Sequence, residues 1–455
     1  MRSWRSIICV FLPFVSGYFL SYAFRTINAV ITQPLASEFA LDAADLGFLT
    51  SVFFLSFALA QIPLGLCLDR FGPRRVQLAM LPIAAGGAML FSVADGFLAL
   101  VLGRILIGIG FASALMAGLK AIVLWFPKDH IPVLNGLYVA IGALGAVVAS
   151  TPAEALINSI GWRGLFAALS ATAILIAIPI YLVAPESKPK ISPERGGRSA
   201  NIRSIYTDPT FWRLAPLSAV TVGASWSVQG LWGALWLTDV EGLQQSQVVQ
   251  YQCLMGLSLC GSALLFGLAA KQLRRYVSLQ CLFTIVVLVF IATQTALALR
   301  WPVPSGMLLV IIAGAGSATV LSFSIFAEKY PAEVAGQANA ALNIIHVSTG
   351  FLLQYLTGVV VYLWPRHGSY YPAQAYQIAF AACVAVQLVA FASYMRREGS
   401  VRVGRAGVEG KLGLQGLTVW NGEFALARRS VWTWRIVAGL GCVICGFLGA
   451  VVFAR

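Results

Sequence analysis

The stretch GLCLDRFGPRR, from Gly65 to Arg75, places four charged side chains within seven residues of a chain whose neighbouring segments are almost entirely apolar. Of all 455 residues, 59% are hydrophobic and only 11% are charged, and the mean hydropathy is +0.82. A soluble globular domain carries about 25% charged residues. The composition therefore predicts an integral membrane protein, in which this charged stretch is a loop between two membrane-spanning helices.

Apolar runs long enough to cross a bilayer lie on both sides of that loop. A spanning helix needs about 20 mostly apolar residues. Twelve such runs, bounded by charged or turn residues, lie near 7–30, 46–68, 75–94, 97–126, 133–156, 164–184, 211–237, 247–270, 277–299, 303–326, 336–363 and 374–395. The first run is too long for a secretory signal and lacks a cleavage site, so we interpret it as an uncleaved helix. The pattern predicts an all-α membrane protein.

The basic residues predict the orientation of these helices, because short cytoplasmic loops carry an excess of Lys and Arg. With the N-terminus inside, the inner connections hold many basic residues: Arg70, Arg74, Arg75, Lys128, Lys188, Lys190, Arg195, Arg198, Arg203, Lys271, Arg274, Arg275 and Lys329. The outer connections hold only Arg163, Arg300 and Arg366. We therefore expect a multi-pass protein of the cell (inner) membrane with a cytoplasmic N-terminus. This topology accounts for the net charge of +14 without a nucleic-acid partner.

A polar stretch, Pro185–Asp208, is rich in Pro, Ser, Gly and Arg and separates two sets of six runs. The two sets resemble one another, because GLCLDRFGPRR after the second run is matched by GLAAKQLRRYV, from Gly267, after the eighth. Duplicated halves are typical of secondary transporters. We expect an N-terminal six-helix bundle at 1–184, a cytoplasmic linker at 185–210 and a C-terminal six-helix bundle at 211–397.

Two motifs carry a family resemblance. The loop after the second run contains Gly65, Asp69, Arg70, Gly72, Arg74 and Arg75, and the fourth run contains GRILIGIG with Arg104, Gly108 and Gly110. With these residues the chain resembles the major facilitator superfamily over residues 1 to about 397. GALGAVVASTP in the fifth run is a looser match to the antiporter signature of that family. The resemblance implies two six-helix bundles related by pseudo-twofold symmetry, and a central cavity lined by the first, fourth, seventh and tenth helices.

The charged loop is interpreted as a conformational latch. Asp69, at the inner end of the second helix, is expected to accept hydrogen bonds from the N-terminus of a helix in the other half. The nearby arginines would face lipid headgroups and neighbouring carboxylates. The latch set is Gly65, Asp69, Arg70, Gly72, Arg74 and Arg75. The alternative is that the arginines only fix the topology.

Two arginines within apolar runs point to the solute. A charge near the bilayer centre costs roughly 2.5 kcal/mol or more, so such a residue usually faces a cavity. Arg25 lies in the first run with Tyr22 and Asn28 about one turn away, and Arg104 lies in the fourth run. We expect both arginines to contact one ligand. The alternatives are that Arg25 extends to the outer surface and that Arg104 is a buried structural residue.

The seventh and eleventh runs add polar and aromatic candidates. Trp226, Gln229 and Trp232 recur at three-residue spacing and can form a polar clamp against an aromatic wall. Asn343 and His346 belong to a polar seam of the eleventh run. The alternatives are an interfacial aromatic belt for the tryptophans and a packing role for His346.

The charge balance of the runs favours an anionic or zwitterionic solute. Lys120 lies near the inner end of the fourth run, where it either lines the cavity or extends to the interface. No carboxylate lies in the middle of any run. A basic cavity without a buried acid attracts an anion or the carboxylate of a zwitterion. Exchange, facilitated uptake or coupling through the substrate is therefore favoured, with Glu154 or His346 as possible proton carriers and a counter-anion as the other coupling partner.

Within the superfamily, YAFRTINAVITQP resembles the first helix of organophosphate:phosphate antiporters, in which an arginine at the position of Arg25 contacts the substrate anion. Those carriers also have an arginine in the seventh helix, where this chain has Trp226 and Gln229. A monocarboxylate, a small organic acid or a peptide-like zwitterion therefore fits better than a phosphate ester. The chain also looks like bacterial nitrate/nitrite transporters and, in GRILIGIG, like the lysosomal dipeptide carriers.

Other functional classes fit less well. A membrane enzyme would show a set such as His-Glu-x-x-His or paired intramembrane aspartates, and the sequence has neither. We expect no catalytic centre, cofactor or metal, and a secondary active or facilitative transporter that works as a monomer with a small solute and the bilayer. The alternatives are a sensor or receptor on the same scaffold and a drug or metabolite exporter.

The C-terminal region departs from the twelve-helix pattern. After a polar cytoplasmic segment at 398–435, the residues 436–454 form another apolar run of about 28 Å at 1.5 Å per residue. Ala438, Cys442, Gly446 and Ala450 recur every four residues and form a small-residue stripe. We expect a thirteenth transmembrane helix, which offers a route to a dimer. The alternative is a helix lying in the membrane interface.

Overall fold

The computed structural model describes residues 6–127, 130–186, 205–272, 276–330, 332–366 and 370–405. Across these ranges the chain forms twelve helical segments, labelled α1–α12, with α1–α6 as the first half and α7–α12 as the second half. The expected all-α membrane architecture is confirmed. Most of the linker, the tail segment beyond Arg405 and the predicted thirteenth helix at 436–454 lie outside the described residues, and the domain boundaries remain predictions.

The helices of the first half have the following bounds. The segment α1 comprises a π-helical turn Ile7–Phe11 and the helices Leu12–Thr26 and Asn28–Phe39. The helix Ala43–Ser92 contains α2 and α3, and α4 comprises Phe97–Phe111 and Ala114–Trp125. The segment α5 comprises Ile131–Ala143, Gly145–Val148 and the start of Thr151–Val183, and α6 is the rest of Thr151–Val183. Nine helices in the described ranges of the whole chain are long and apolar enough to cross a membrane, and one of them contains both α2 and α3.

The helices of the second half follow the same order. The segment α7 comprises Pro209–Ser227, a π-helical turn Val228–Trp232 and Gly233–Asp239; α8 is Gln245–Gln272; α9 is Leu279–Ala298; α10 comprises Ser305–Ala315 and Ala318–Lys329; α11 is Ala332–Tyr362; and α12 is Ala373–Arg405.

Gly72 creates the turn between α2 and α3. Its φ of 79° lies in the left-handed region, where a side chain is disfavoured. Pro73 follows, and its fixed φ suits the first residue of a helix. The second glycine of the loop motif is therefore required by the backbone of the loop. Gly161, with a φ of 70°, separates α5 from α6 in the same way.

Helix α1 is longer than the predicted run, which ended near residue 30. It continues to Phe39, and Ala40 closes it in the left-handed conformation. The polar residues of this end lowered the hydropathy without ending the helix. Glu38 there pairs with Arg163 at 2.5 Å and accepts a hydrogen bond from Trp162 Nε1 at 2.9 Å. Burial raises the pKa of the Glu38 carboxyl, but these hydrogen bonds and the Arg163 charge outweigh burial and lower it overall.

Within the described ranges, five helices are interrupted in their middle portions: α1 at Ile27, α4 at Ala112 and Ser113, α5 at Leu144 and again at Ala149 and Ser150, α7 at the π-helical turn and α10 at Gly316 and Ser317. At the interruptions of α1, α4, α5 and α10 some hydrogen bonds shorten to i→i−3, as from Ala112 N to Ile109 O at 3.2 Å and from Ser317 N to Gly314 O at 3.1 Å, whereas α7 forms a π-helical turn. Interrupted helices within a membrane protein are typical of solute sites. Four of the five, α1, α4, α7 and α10, are the helices expected to line the cavity.

The two halves meet near the end of the molecule predicted to face outward. Helix α2 packs against α11, and α5 packs against α8. A Cβ on Gly47 would lie 3.1 Å from Cα of Gly358, and a Cβ on Gly256 would lie 3.2 Å from the backbone nitrogen of Val147. The backbones of α2 and α11 therefore touch at this end, and those of α5 and α8 touch nearer the middle of the helices. We call the contact between Gly47 and Gly358 the outer seam.

The halves separate at the opposite end, which is predicted to be cytoplasmic. Glycines near the inner parts of the same four helices, Gly65, Gly136, Gly267 and Gly336, have no described atom within 4 Å of a Cβ built on them. On the inner part of α2, Leu66 is 72% exposed. The structure is therefore closed at the predicted outer end and open at the predicted inner end.

Candidate functional site

Arg25 lies on α1 two residues before its interruption, and its guanidinium contacts rings from both halves. The guanidinium carbon is 3.8 Å from the ring centroid of Tyr22 and 4.5 Å from that of Trp226 on α7. Its Nη2 atom is buried and has no hydrogen-bond partner among the described residues. The side chain thus packs against α7 instead of extending to the outer surface, and one of its donors is available to a ligand.

Trp226 is held by aromatic contacts from two other helices. It stacks on Phe54 of α2 at 5.8 Å with an interplanar angle of 8°, and it meets the edge of His346 on α11 at 6.5 Å. A Cβ on Gly350 would lie 3.3 Å from the indole, so α11 also approaches closely. The aromatic wall expected on α7 is present beside Arg25. Sequence reasoning missed Phe54, because nothing in an apolar run distinguishes it from its neighbours.

Gln229 and Trp232 occupy different surroundings. Gln229 is 2% exposed, and its Nε2 is buried without a partner in the described part of the chain. The next residue, Gly230, lies against Arg25, with a Cβ position 3.8 Å from the Arg25 carbonyl oxygen. Trp232 instead lies beneath the outer seam, 3.2 Å from a Cβ on Gly358, and donates to the Gln354 carbonyl at 3.1 Å. The structure therefore separates the two residues expected to form one clamp.

Arg104 does not share a surface with Arg25. It is fully buried, Nη1 donates to the Phe24 carbonyl at 3.1 Å, and Nη2 donates to Asn28 Oδ1. These two acceptors flank the interruption of α1, so Arg104 supplies a donor to the Phe24 backbone carbonyl there and holds the Asn28 side chain. Phe91, at 4.8 Å from the guanidinium carbon, covers it further. In this conformation Arg104 and Asn28 brace α1 behind Arg25.

Lys120 pairs with the charged loop. Its Nζ donates to Asp69 Oδ1 at 2.6 Å and to the Leu68 carbonyl at 2.8 Å. The Asp69 side chain is 81% exposed. The expectation that Asp69 meets a helix N-terminus of the other half is therefore wrong for this conformation, because the halves are apart at this end. Lys120 belongs with the latch residues, and its ammonium is held by them.

The arginines of the latch also bind within the first half. Arg74 Nη2 donates to the Tyr181 carbonyl at 2.6 Å, and Arg75 pairs with Glu186 at 2.5 Å. Arg70 lies over the ring of Phe71 at 5.2 Å. Together with the Gly72 turn, these contacts tie the α2–α3 loop to the end of α6. The loop is thus held by its own half while the inner end is open.

His346 is fully buried on α11, with Asn343 one turn before it and 5% exposed. Its Nε2 is 2.8 Å from Ser218 Oγ on α7, and its Nδ1 has no partner among the described residues. Phe323 of α10 packs against the ring at 5.7 Å. His346 therefore lies behind Trp226, separated from Arg25 by the indole.

A polar clasp closes the outer end, and sequence reasoning missed it. The Ala43 N–H donates to Tyr371 Oη at 3.2 Å, and Arg366 Nη2 donates to the Leu41 carbonyl at 2.9 Å, so the α11–α12 connection holds the start of α2. Asp239 accepts from the Tyr371 N–H at 3.1 Å. Burial raises the pKa of the Asp239 carboxyl despite its hydrogen bonds. In the sequence, Arg366 stood out only as a loop charge.

Comparisons with known proteins agree with this architecture. A family model described as Major Facilitator Superfamily matches residues 14–354. Among solved structures, a bacterial homolog to human lysosomal transporter Spinster, in an inward-facing and unoccupied conformation, has a TM-score of 0.69 at 21% identity, covering 86% of this chain and 96% of that one. A D-xylose-proton symporter has a TM-score of 0.62 at 16% identity, covering 83% and 96%.

Curated relatives match over shorter stretches. The chain is 33% identical over 168 residues to a probable L-galactonate transporter of Escherichia coli, covering 36% of each chain. It is 24% identical over 251 residues to a probable sulfoacetate transporter of Cupriavidus necator, covering 52% of this chain and 58% of the relative. These matches span between about a third and three fifths of the relatives' length. The family model, however, covers most of the chain together with its loop motif, its interrupted helices and its paired halves: the chain belongs to the major facilitator superfamily.

Proposed function

We propose that this protein is a secondary transporter that moves a small anionic solute across the membrane by alternating access, with Arg25 as the anion contact. The observation that carries the proposal is the position of Arg25, between rings of the two halves and with a buried, unpartnered Nη2. Relatives named for L-galactonate, sulfoacetate and nitrate transport support an anionic solute.

The energetics of Arg25 favour a ligand. A buried donor without a partner costs about 1–3 kcal/mol. Cation–π contacts with Tyr22 and Trp226 offset part of the cost of placing the charge there. A carboxylate on Nη2 would satisfy the donor with a charge-assisted hydrogen bond. The site is therefore suited to an acceptor that carries negative charge.

Alternating access requires the contacts at the two ends to exchange. In this conformation the outer seam is closed, and Asp69 is exposed at the open inner end. The transition to an outward-open state would separate Gly47 from Gly358 and bring Asp69 towards the second half. We place the protein in the cell (inner) membrane with a cytoplasmic N-terminus, as its basic loops favour. Exchange or coupling through the substrate fits a site whose charged group is an arginine.

Counterflow in proteoliposomes tests the proposal. Purified protein would be reconstituted and assayed with labelled L-galactonate, sulfoacetate and nitrate. We expect counterflow of at least one anion, at least a tenfold loss in Arg25→Ala, and a partial loss in Arg25→Lys, which keeps the charge but lacks the planar fork. The matched control is Arg300→Asn, which removes an exposed outer-loop arginine and tolerates its φ of 50°.

Two results would contradict the proposal. One is the absence of counterflow for every anion with correctly folded protein. The other is an Arg25→Ala protein that transports an anion with wild-type affinity and rate.

A further inference from the structure

We infer that the solute site selects singly charged anions over doubly charged ones, so that its substrates are monocarboxylates or other monoanions that bear hydrogen-bond acceptors. This inference rests on the proposed anion transport through Arg25, and it narrows the class of solute. The charged groups near the site that already have partners within the protein limit the charge that a solute can carry.

One positive charge is available at the site. Arg25 keeps an unpartnered Nη2, whereas Arg104 is fully buried and bonded to Phe24 and Asn28. Lys120 is bonded to Asp69 and Leu68 at the inner end. The two basic residues of the fourth predicted run, Arg104 and Lys120, are therefore already bonded within the protein. The remaining basic side chains in the described ranges lie in the loops or near the helix ends.

The polar group next to Arg25 on α7 is neutral. Gln229 is buried and its Nε2 donor has no partner in the described part of the chain; Trp226, three residues earlier, contacts the Arg25 guanidinium, and a Cβ on the next residue, Gly230, would lie 3.8 Å from the Arg25 carbonyl oxygen. An amide N–H suits a hydroxyl or carbonyl oxygen of the solute and offers no countercharge. His346 lies behind Trp226 with no exposed surface. A second anionic group on the solute would therefore find a donor but no cation.

The cost of that second charge decides the selectivity. A monoanion on Arg25 makes the loaded site electrically neutral. A dianion leaves one negative charge among Trp226, Tyr22 and Phe54, where burial without a partner is strongly unfavourable. Selectivity is the difference between the two binding free energies. Here the binding of the dianion is weakened because its second charge is buried without a partner. We expect a preference of at least tenfold for the monoanion.

Matched pairs of solutes with equal carbon number test this selectivity. The pairs are D-gluconate with D-glucarate, 3-hydroxybutyrate with malate, and butyrate with succinate, at pH 7.5 and constant ionic strength. Binding to the purified full chain would be measured by thermal shift and by tryptophan fluorescence. We expect the monoanion of at least one pair to bind at least tenfold more tightly than its dianion, and Arg25→Ala to abolish that binding.

A second variant supplies the missing cation. Gln229→Arg should improve dianion binding relative to monoanion binding by at least tenfold, because the second carboxylate then has a partner. The matched control is Gln244→Arg, which adds the same charge in an exposed outer loop and should leave the ratio unchanged. If Gln229→Arg does not fold, the wild-type pairs alone decide.

The outcomes separate the two proposals. If dianions bind as tightly as monoanions, or more tightly, the selectivity inference is overturned, while anion transport through Arg25 stands. If no member of any pair binds, the selectivity inference is overturned, and the counterflow assay still decides the proposed function. If anion binding is independent of Arg25, the proposed function fails and the inference fails with it.

Discussion

Arg104→Gln is the substitution that best distinguishes a role of Arg104 in supporting α1 from direct contact between Arg104 and the solute. Removing the guanidinium leaves the Phe24 carbonyl and Asn28 Oδ1 without their donor. Arg104 is fully buried, so water does not replace that donor. Each unsatisfied buried acceptor costs about 1–3 kcal/mol, so the lost hydrogen bonds amount to about 2–6 kcal/mol. Relief of the buried charge offsets part of this cost. We expect a clearly lower unfolding temperature and a moderate loss of anion affinity, because α1 carries Arg25.

The assay measures thermal unfolding and anion affinity on the same purified protein. Arg104→Lys should give an unfolding temperature and an anion affinity between those of the wild type and Arg104→Gln, because one ammonium does not reproduce the two hydrogen bonds of the planar guanidinium. Asn28→Asp keeps an acceptor and adds an ion pair, so it should retain affinity. The reasoning is refuted if Arg104→Gln unfolds like the wild type but loses anion binding as completely as Arg25→Ala, since Arg104 would then contact the solute directly.

Three further substitutions address the latch, the outer seam and the pH dependence. Asp69→Asn should slow transport without abolishing binding, because it weakens a contact remote from Arg25; unchanged transport rates in well-expressed protein would contradict this. Gly358→Ala places a Cβ 2.6 Å from the Ala43 carbonyl oxygen and should open the outer seam. Outside labelling of a cysteine introduced at the buried Ser51 should then rise, and unchanged labelling would count against the seam. Glu38 has a lowered pKa when folded, so its stabilising contribution is complete above the usual glutamate pKa and is lost as the pH falls through the lowered value. Glu38→Gln should remove this part of the acid sensitivity in thermal unfolding scans, and an identical pH profile would exclude the role.

Composition and spacing predicted the membrane class and the helices and singled out Arg25 as a candidate, since each depends on local features of the chain. A charged residue inside an apolar run can be recognised from the sequence alone, whichever way its helix faces in the structure. The partner of Arg104 was not predictable in the same way, because the direction of a side chain depends on the rotation of the helix and on the interruption at Ile27. The residues that interrupt α1 are ordinary apolar and polar residues, with no glycine or proline to reveal the break.

Other features depend on contacts between distant parts of the chain or on the conformational state. Lys120 and Asp69 are 51 positions apart, and the depth of each residue in the membrane does not specify that they meet. The expected partner of Asp69 in the second half belongs to a conformation closed at the inner end. Trp232 follows Gln229 at the same three-residue spacing at which Gln229 follows Trp226. It nevertheless lies under the outer seam, because the π-helical turn changes the direction in which the side chains of α7 point. No sequence periodicity reports such a turn.

The mid-helix interruptions should also be visible in amide hydrogen exchange. Where an i→i−3 bond replaces the regular ladder, as at Ala112 and Ser317, the amide is held less firmly than in an unbroken helix. Backbone groups within a bilayer normally exchange very slowly, because no water reaches them and the helix satisfies them. These interruptions would thus appear as short fast-exchanging windows inside α1, α4, α5 and α10, set against the continuous protection of α9, which crosses without a break from Leu279 to Ala298.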